Sequence, residues 1–134
     1  MSQQNVEVVR RAFENFNRRD LGAAVDAFDP DAEWIPYLAA LEEETYHGRD
    51  EIERMWREVL KDVPDFQIEL IEVVAHEADT LVVKVDFLGM GRASGADIRT
   101  TVYQAASFRD GQVLSVHGFR TAGEALRAVG PPAA

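Results

Sequence analysis

From Phe66 to Arg120 the chain alternates. Phe66, Ile68 and Leu70 are separated by Gln67 and Glu69, and Leu81, Val83, Val85 and Phe87 by Val82, Lys84 and Asp86. An apolar residue at every second position demands a sheet with one buried face, because successive side chains of a strand point to opposite sides. A third segment places Ile98, Thr100, Val102, Gln104, Ala106 and Phe108 on one face and Arg99, Thr101, Tyr103, Ala105, Ser107 and Arg109 on the other. The first set is the more apolar and reads as inward. His76 to Thr80 reads as the turn of one hairpin and Asp110-Gly111 as the tight turn of another, while Gly89, Gly91, Ser94 and Gly95 read as a flexible connection or bulge. A strand from Gln112 to Arg120 follows. A helical stretch from Ala122 to Val129, closed by Gly130-Pro131-Pro132, ends the sequence.

The first half has the other period. Between Asn5 and Arg18, Val6, Val9, Phe13 and Phe16 recur at offsets of three and four, the inner stripe of an amphipathic helix with Ser2 or Asn5 as its cap. Asp20 caps a shorter helix carrying Leu21, Ala24, Val25 and Phe28, and Asp29-Pro30-Asp31 ends it. Glu33 to Leu38 reads as extended, and Ala39 to Tyr46 as a loop with an acidic tip at Glu42, Glu43 and Glu44. A third helix begins near Gly48, buries Ile52, Met55, Trp56, Val59, Leu60 and Val63, and stops at Pro64. Asp50, Glu51 and Glu53 suit the positive end of its dipole. Neither an internal repeat nor a second-domain linker interrupts the 134 residues, so one domain is expected.

Composition narrows the function classes. The formal net charge is -10, from 14 Lys plus Arg against 24 Asp plus Glu, and it opposes nucleic acid and anionic membrane surfaces. Without a cysteine there is no disulfide, thiolate nucleophile or thiolate metal ligand. Three histidines stand apart, without metal-ligand spacing, and neither metal nor cofactor is expected. Met1 to Asp20 is polar and charged, which places the expected site of action in the cytoplasm.

Three helices followed by a long antiparallel meander resemble the cone-shaped α+β barrel of the nuclear transport factor two-like superfamily, in which N-terminal helices pack in the concavity of a curved, mostly antiparallel sheet. The segments Ser2 to Phe13, Phe28-Asp29-Pro30-Asp31-Ala32-Glu33-Trp34, Tyr46 to Ile52, Phe108 to Val113 and Glu124 to Gly130 look like its bacterial SnoaL-like branch, which includes polyketide cyclases. The resemblance implies a pocket at the wide end of the cone and a homodimer through the outer sheet face, where Thr101, Tyr103 and Ala105 are mild residues for solvent. It also shows vacancies. The general base of ketosteroid isomerases falls at Pro36, give or take one residue, their oxyanion tyrosine on Phe13, two supporting tyrosines near Phe28 and Trp56, and their acidic oxyanion residue on Gln104. The acid of SnoaL-type cyclases falls on Thr121. Asp86, Asp97 and Arg99 are the nearest material for the Asp-Arg-Asp set of epoxide-hydrolase relatives, and parity turns Asp86 outward.

What remains is a pocket poor in titratable groups. Trp34, Tyr37, Tyr46 and Trp56 are the aromatic residues nearest its expected mouth and suit an apolar or polycyclic small molecule, although Trp34 and Trp56 fit ordinary core equally well. Gln104 is polar on an apolar face and needs a partner, from a side chain or a ligand, with Thr100 on the same face nearer the rim. Arg120 is placed either to hold a ligand carboxylate or enolate, or at the rim to pair with Glu124 or another acid. His47 either caps the third helix or sits at the pocket rim. His117 lies opposite Val116 and Gly118 in parity, which favours the outer face over the pocket. In a catalytic reading, acid–base work falls to His47 or His117, with Gln104 and Arg120 stabilising negative charge. The alternative is a non-catalytic module that binds a hydrophobic ligand or a protein partner.

Overall fold

The computed structural model describes residues 2–36, 45–90 and 97–129. The elements run α1 (Ser2–Asn17), α2 (Leu21–Val25), β1 (Phe28–Ile35), β2 (Tyr46–His47), α3 (Gly48–Asp62), β3 (Gln67–Glu77), β4 (Thr80–Met90), β5 (Asp97–Arg109), β6 (Gln112–Phe119) and α4 (Ala122–Ala128). Tyr37, the acidic tip at Glu42, Glu43 and Glu44, the stretch from Gly91 to Gly95, and Gly130-Pro131-Pro132 lie outside the described residues.

Among the described residues the six strands form one open, curved sheet in the order β2-β1-β6-β5-β4-β3. All its pairings are antiparallel except that of β1 with β6. The architecture is mixed α+β, with edges at β2 and β3 rather than a closed barrel. Three helices precede the four long strands, but β1 and β2 separate α2 from α3, and α4 follows the sheet.

Local chemistry explains most boundaries. Asp20 Oδ1 accepts the Ala23 N–H at 3.2 Å and caps α2. Asp110 and Gly111 both take positive φ, 52° and 80°, as the tight β5–β6 turn requires. Thr121 and Glu124 form a reciprocal capping box at α4, each side chain accepting the other's backbone N–H at 3.2 Å. β1 starts at Phe28, earlier than the expected extended segment, because Ala27 O accepts from Val113 N and Phe28 registers with Val113 of β6. The register shift that follows, between Phe28 and Glu33, accommodates Pro30, which has no N–H for a ladder. β3 continues to Glu77, so His76 pairs with Leu81 inside the strand instead of lying in the turn. Two register shifts, at Leu70/Glu72 and Val73/Ala75, break the period-two pattern that would have announced this length.

The core lies on one face of the sheet, beneath α1, α2 and α3. Val9 and Phe16 of α1, Leu21, Ala24 and Val25 of α2, and Ile52 and Trp56 of α3 meet Phe28, Trp34, Val83, Val85, Val102, Ala106, Phe108 and Val116. Two polar side chains tie α1 to the edge strand: Asn17 exchanges hydrogen bonds with the backbone N–H and C=O of Ile68 at 3.0 and 2.9 Å, and Arg19 donates to the carbonyls of Pro64 and Phe66 at 2.8 and 2.7 Å. The opposite face is not bare. Ala125 of α4 packs with Val82 and Ala105, and Tyr103, Phe119 and Val129 complete this smaller cluster. Two of the three residues read as an uncovered outer patch, Tyr103 and Ala105, are therefore partly covered from within the chain.

Candidate functional site

Register lays the inner surface out in rows. Trp34 of β1 lies beside Val116 of β6, and Val116 beside Ala106 of β5. In the next row Gly118, Gln104 and Val83 are neighbours, then Val102 and Val85, then Thr100 and Phe87. Above the rows runs a continuous series of rings. Trp34 and Phe28 are 5.8 Å apart between centroids, Phe28 and Trp56 5.6 Å, Trp56 and Phe16 5.6 Å, Phe16 and Phe66 6.0 Å, and Phe66 and Phe87 5.4 Å. Trp34 also meets Trp56 edge to face at 6.0 Å. Most of these contacts are T-shaped or tilted, which sets the positive edge of one ring toward the negative face of the next.

Beside this layer is an opening. A cavity of about 420 Å³ is lined by Thr45, Tyr46, Glu51, Arg54, Met55 and Glu58, between β2 and α3. Tyr46 and Met55 also pack against the main core, and Tyr46 registers with Trp34 across the β1–β2 pair. The cavity thus has charged walls and an apolar floor continuous with the aromatic layer. Arg54 and Glu58 are absent from the sequence expectations because charged positions on a helix read as a solvated face, and Thr45 because it falls in the expected loop from Ala39 to Tyr46.

Trp34 and Trp56 are core residues, and the indole Nε1 of Trp56 is buried without a hydrogen-bond partner among the described residues. Gln104 is 5% exposed on the inner face. Its row neighbours Val83 and Gly118, and Val102 and Ala106 along β5, offer its amide no side-chain hydrogen bond. Thr100 is half-buried on that face, and Arg120 is exposed just beyond β6. Glu124, the alternative partner of Arg120, instead turns its carboxylate to the Thr121 cap. That cap also gives Thr121, where the resemblance puts a cyclase acid, a structural role.

The titratable groups lie elsewhere. His47 is exposed, its Nδ1 3.7 Å from a Glu33 carboxylate oxygen across the β1–β2 pair. It occupies the N-cap position of α3 without a side-chain cap bond, and its own N–H donates to Glu51 Oε1 at 2.9 Å. His76 is exposed on β3. His117 registers with Ala105 and stacks on Phe119 at 4.1 Å, which places it on the outer face. Buried Asp86 is also on that face, accepting from Arg99 Nη1 at 2.6 Å and Thr101 Oγ1 at 2.7 Å. Buried Asp29 accepts two bonds from Arg109, at 3.1 and 2.7 Å, and one from the Asp31 N–H at 2.8 Å. The Arg109 guanidinium holds its carboxyl below the usual range. Among the described residues no group of three or more metal-ligating side chains could hold an ion, and no helix is long and apolar enough to cross a membrane.

Burial pushes the His117 pKa below its ordinary 6.5. The folded chain therefore binds fewer protons than the unfolded one near that pH. Any stability owed to the neutral ring is present above the unfolded pKa and lost as pH falls through the lower folded pKa. His117→Phe keeps a ring against Phe119 and removes the titration. The slope of melting temperature against pH between about 5 and 7 should flatten in this variant, and an unchanged slope would show that His117 does not set it.

A family model describing the SnoaL-like domain matches residues 9–116. The chain is a SnoaL-like domain. Its fold is that of solved nuclear transport factor two-like proteins. A protein of unknown function from Burkholderia pseudomallei is 22% identical, with TM-score 0.77 over 98% of this chain and 100% of that one. TerC, co-crystallised with polyporic acid, is 17% identical, with TM-score 0.75 over 90% and 94%. A candidate SnoaL-like polyketide cyclase from Jannaschia sp. CCS1 is 20% identical, with TM-score 0.74 over 98% and 95%. No curated protein matches this SnoaL-like domain in sequence.

Proposed function

We propose that this SnoaL-like domain binds a small apolar or polycyclic molecule against its aromatic layer, entering past Tyr46 and Met55. One observation carries the reading: the layer from Trp34 to Phe87 is built of ring edges and faces, while His47, His76, His117, Asp29 and Asp86 are all exposed, on the outer sheet face or held in ion pairs. Such a surface rewards burial of flat apolar area and offers little for proton transfer. Binding without turnover is therefore preferred to acid–base catalysis. A cyclase or isomerase role draws its support from the named relatives, and it would have to recruit His47 from the rim. The reading extends to a cytoplasmic homodimer through the part of the outer face that α4 leaves uncovered, where Thr101 is exposed.

Both tryptophans of the chain sit in this layer, so their fluorescence reports on it. Polyporic acid, the ligand of TerC, serves as the probe. The native chain should show saturable quenching. Met55→Glu, which sets a charge on the half-buried cavity floor, should weaken binding at least about ten-fold with little change in melting temperature. Unsaturable quenching, or equal affinity in the variant, would refute this site.

A further inference from the structure

Trp56 is 6% exposed, and its Nε1 is buried without a partner among the described residues. Indole nitrogen is a donor only, and buried donors in folded proteins are nearly always paired. The rings around it, Phe16, Phe28 and Trp34, stand 5.6 to 6.0 Å away, and aromatic faces are weak acceptors. A phenylalanine at this position could supply similar edge contacts without an orphaned N–H. The ring that carries the donor is linked to the cavity lining: Trp56 follows Met55 in α3 and meets Trp34, which registers with Tyr46.

We propose that Trp56 determines ligand choice in the interior site by donating its indole hydrogen bond to a carbonyl oxygen of the bound molecule. This rests on the binding reading above and sharpens it. An acceptor-free hydrocarbon leaves the N–H orphaned, whereas a carbonyl at the same place in the skeleton satisfies it. A neutral acceptor suits the donor better than an anion, because its ring neighbours Phe16, Phe28 and Trp34 carry no charge to balance one. Arg19 stands over the Phe16 ring but spends its guanidinium on backbone carbonyls at the end of α1 and before β3.

The test uses 9-fluorenone and fluorene, which share a ring skeleton and differ in one carbonyl. The native chain should bind fluorenone about ten-fold more tightly than fluorene. Trp56→Phe should reduce that preference to within about two-fold, by weakening fluorenone alone, in a variant that remains folded at the assay temperature. In the native chain, fluorenone but not fluorene should shift the Trp56 indole N–H resonance downfield, with Trp34→Phe identifying the signal. Equal native affinities, equal weakening of both probes by Trp56→Phe, or an indole resonance indifferent to the carbonyl would each overturn the proposal. Failure of both probes to bind the native chain would overturn the binding reading and this proposal together.

Discussion

Truncating Phe16 to alanine is expected to lower the unfolding free energy by about 3–5 kcal/mol, the usual cost of removing a buried aromatic side chain and leaving its cavity. Domains of this size are stable by only about 5–15 kcal/mol, so the variant should unfold at a much lower denaturant concentration. Phe16 is 2% exposed and is the one ring through which α1 reaches both α3, at Trp56, and the start of the sheet, at Phe66. The Arg19 guanidinium also rests 5.7 Å from its centroid. Helices and strands cannot close over the lost ring without moving, because each partner is fixed by other contacts. Phe16→Leu keeps most of the volume and should cost less, under about 2 kcal/mol. Urea titration of the two variants checks both values, and a loss below about 1 kcal/mol for the alanine would show that the layer repacks freely.

Gly89→Ala is the second large effect, and it adds an atom instead of removing one. A Cβ at Gly89 would stand 2.5 Å from Val63 Cγ1 and 3.4 Å from the Phe66 Cα. Val63 has little freedom to retreat, since it is the C-cap of α3 and donates its N–H to Val59 O at 2.9 Å. Asp65 is held as well, its Oδ1 accepting the Met90 N–H at 3.0 Å. The turn between α3 and β3 lies flat on β4 because position 89 lacks a side chain. Forcing it upward should cost about 1–3 kcal/mol. Gly22→Ala is the control. That site in α2 has nothing within 4 Å of an added Cβ, and alanine should stabilise it by about 0.5–1 kcal/mol. Thermal melts of the two variants should move in opposite directions.

Much of this was legible in the chain because the signals are local. The alternation of β4 and β5, the Asp110-Gly111 turn, the Asp20 cap and the helical stripe ending at Phe16 each fix their element within a few residues. Distant partners left no such mark. The parallel pairing of β1 with β6 joins Phe28 to Val113, and nothing near either residue encodes the other. Asp29 reads as part of a helix-stopping Asp-Pro-Asp, yet it is buried against Arg109 from the far end of β5. At the candidate site, parity placed Gln104 inward and Asp86 and His117 outward, as the register does. Arg120 eluded the same rule because the strand ends at Phe119, so its parity carries no facing. Trp34 and Trp56, which fit core and ligand contact equally well in the sequence, are both buried, and among the described residues Trp56 Nε1 is fully buried without a partner.

The ties of Asn17 and Arg19 to β3 bear on how copies of this protein meet. β3 is an outer strand of the sheet, and exposed strand edges are templates on which another chain can add a strand and start an aggregate. Here the first part of that edge is already occupied, because Asn17 takes the N–H and C=O of Ile68, and just before the strand Arg19 takes the carbonyl of Phe66. Farther along, Glu69, Glu72 and Glu77 would oppose their counterparts in an approaching copy, and the two register shifts interrupt its regularity. Strand-by-strand polymerisation is thereby disfavoured at this end of the sheet.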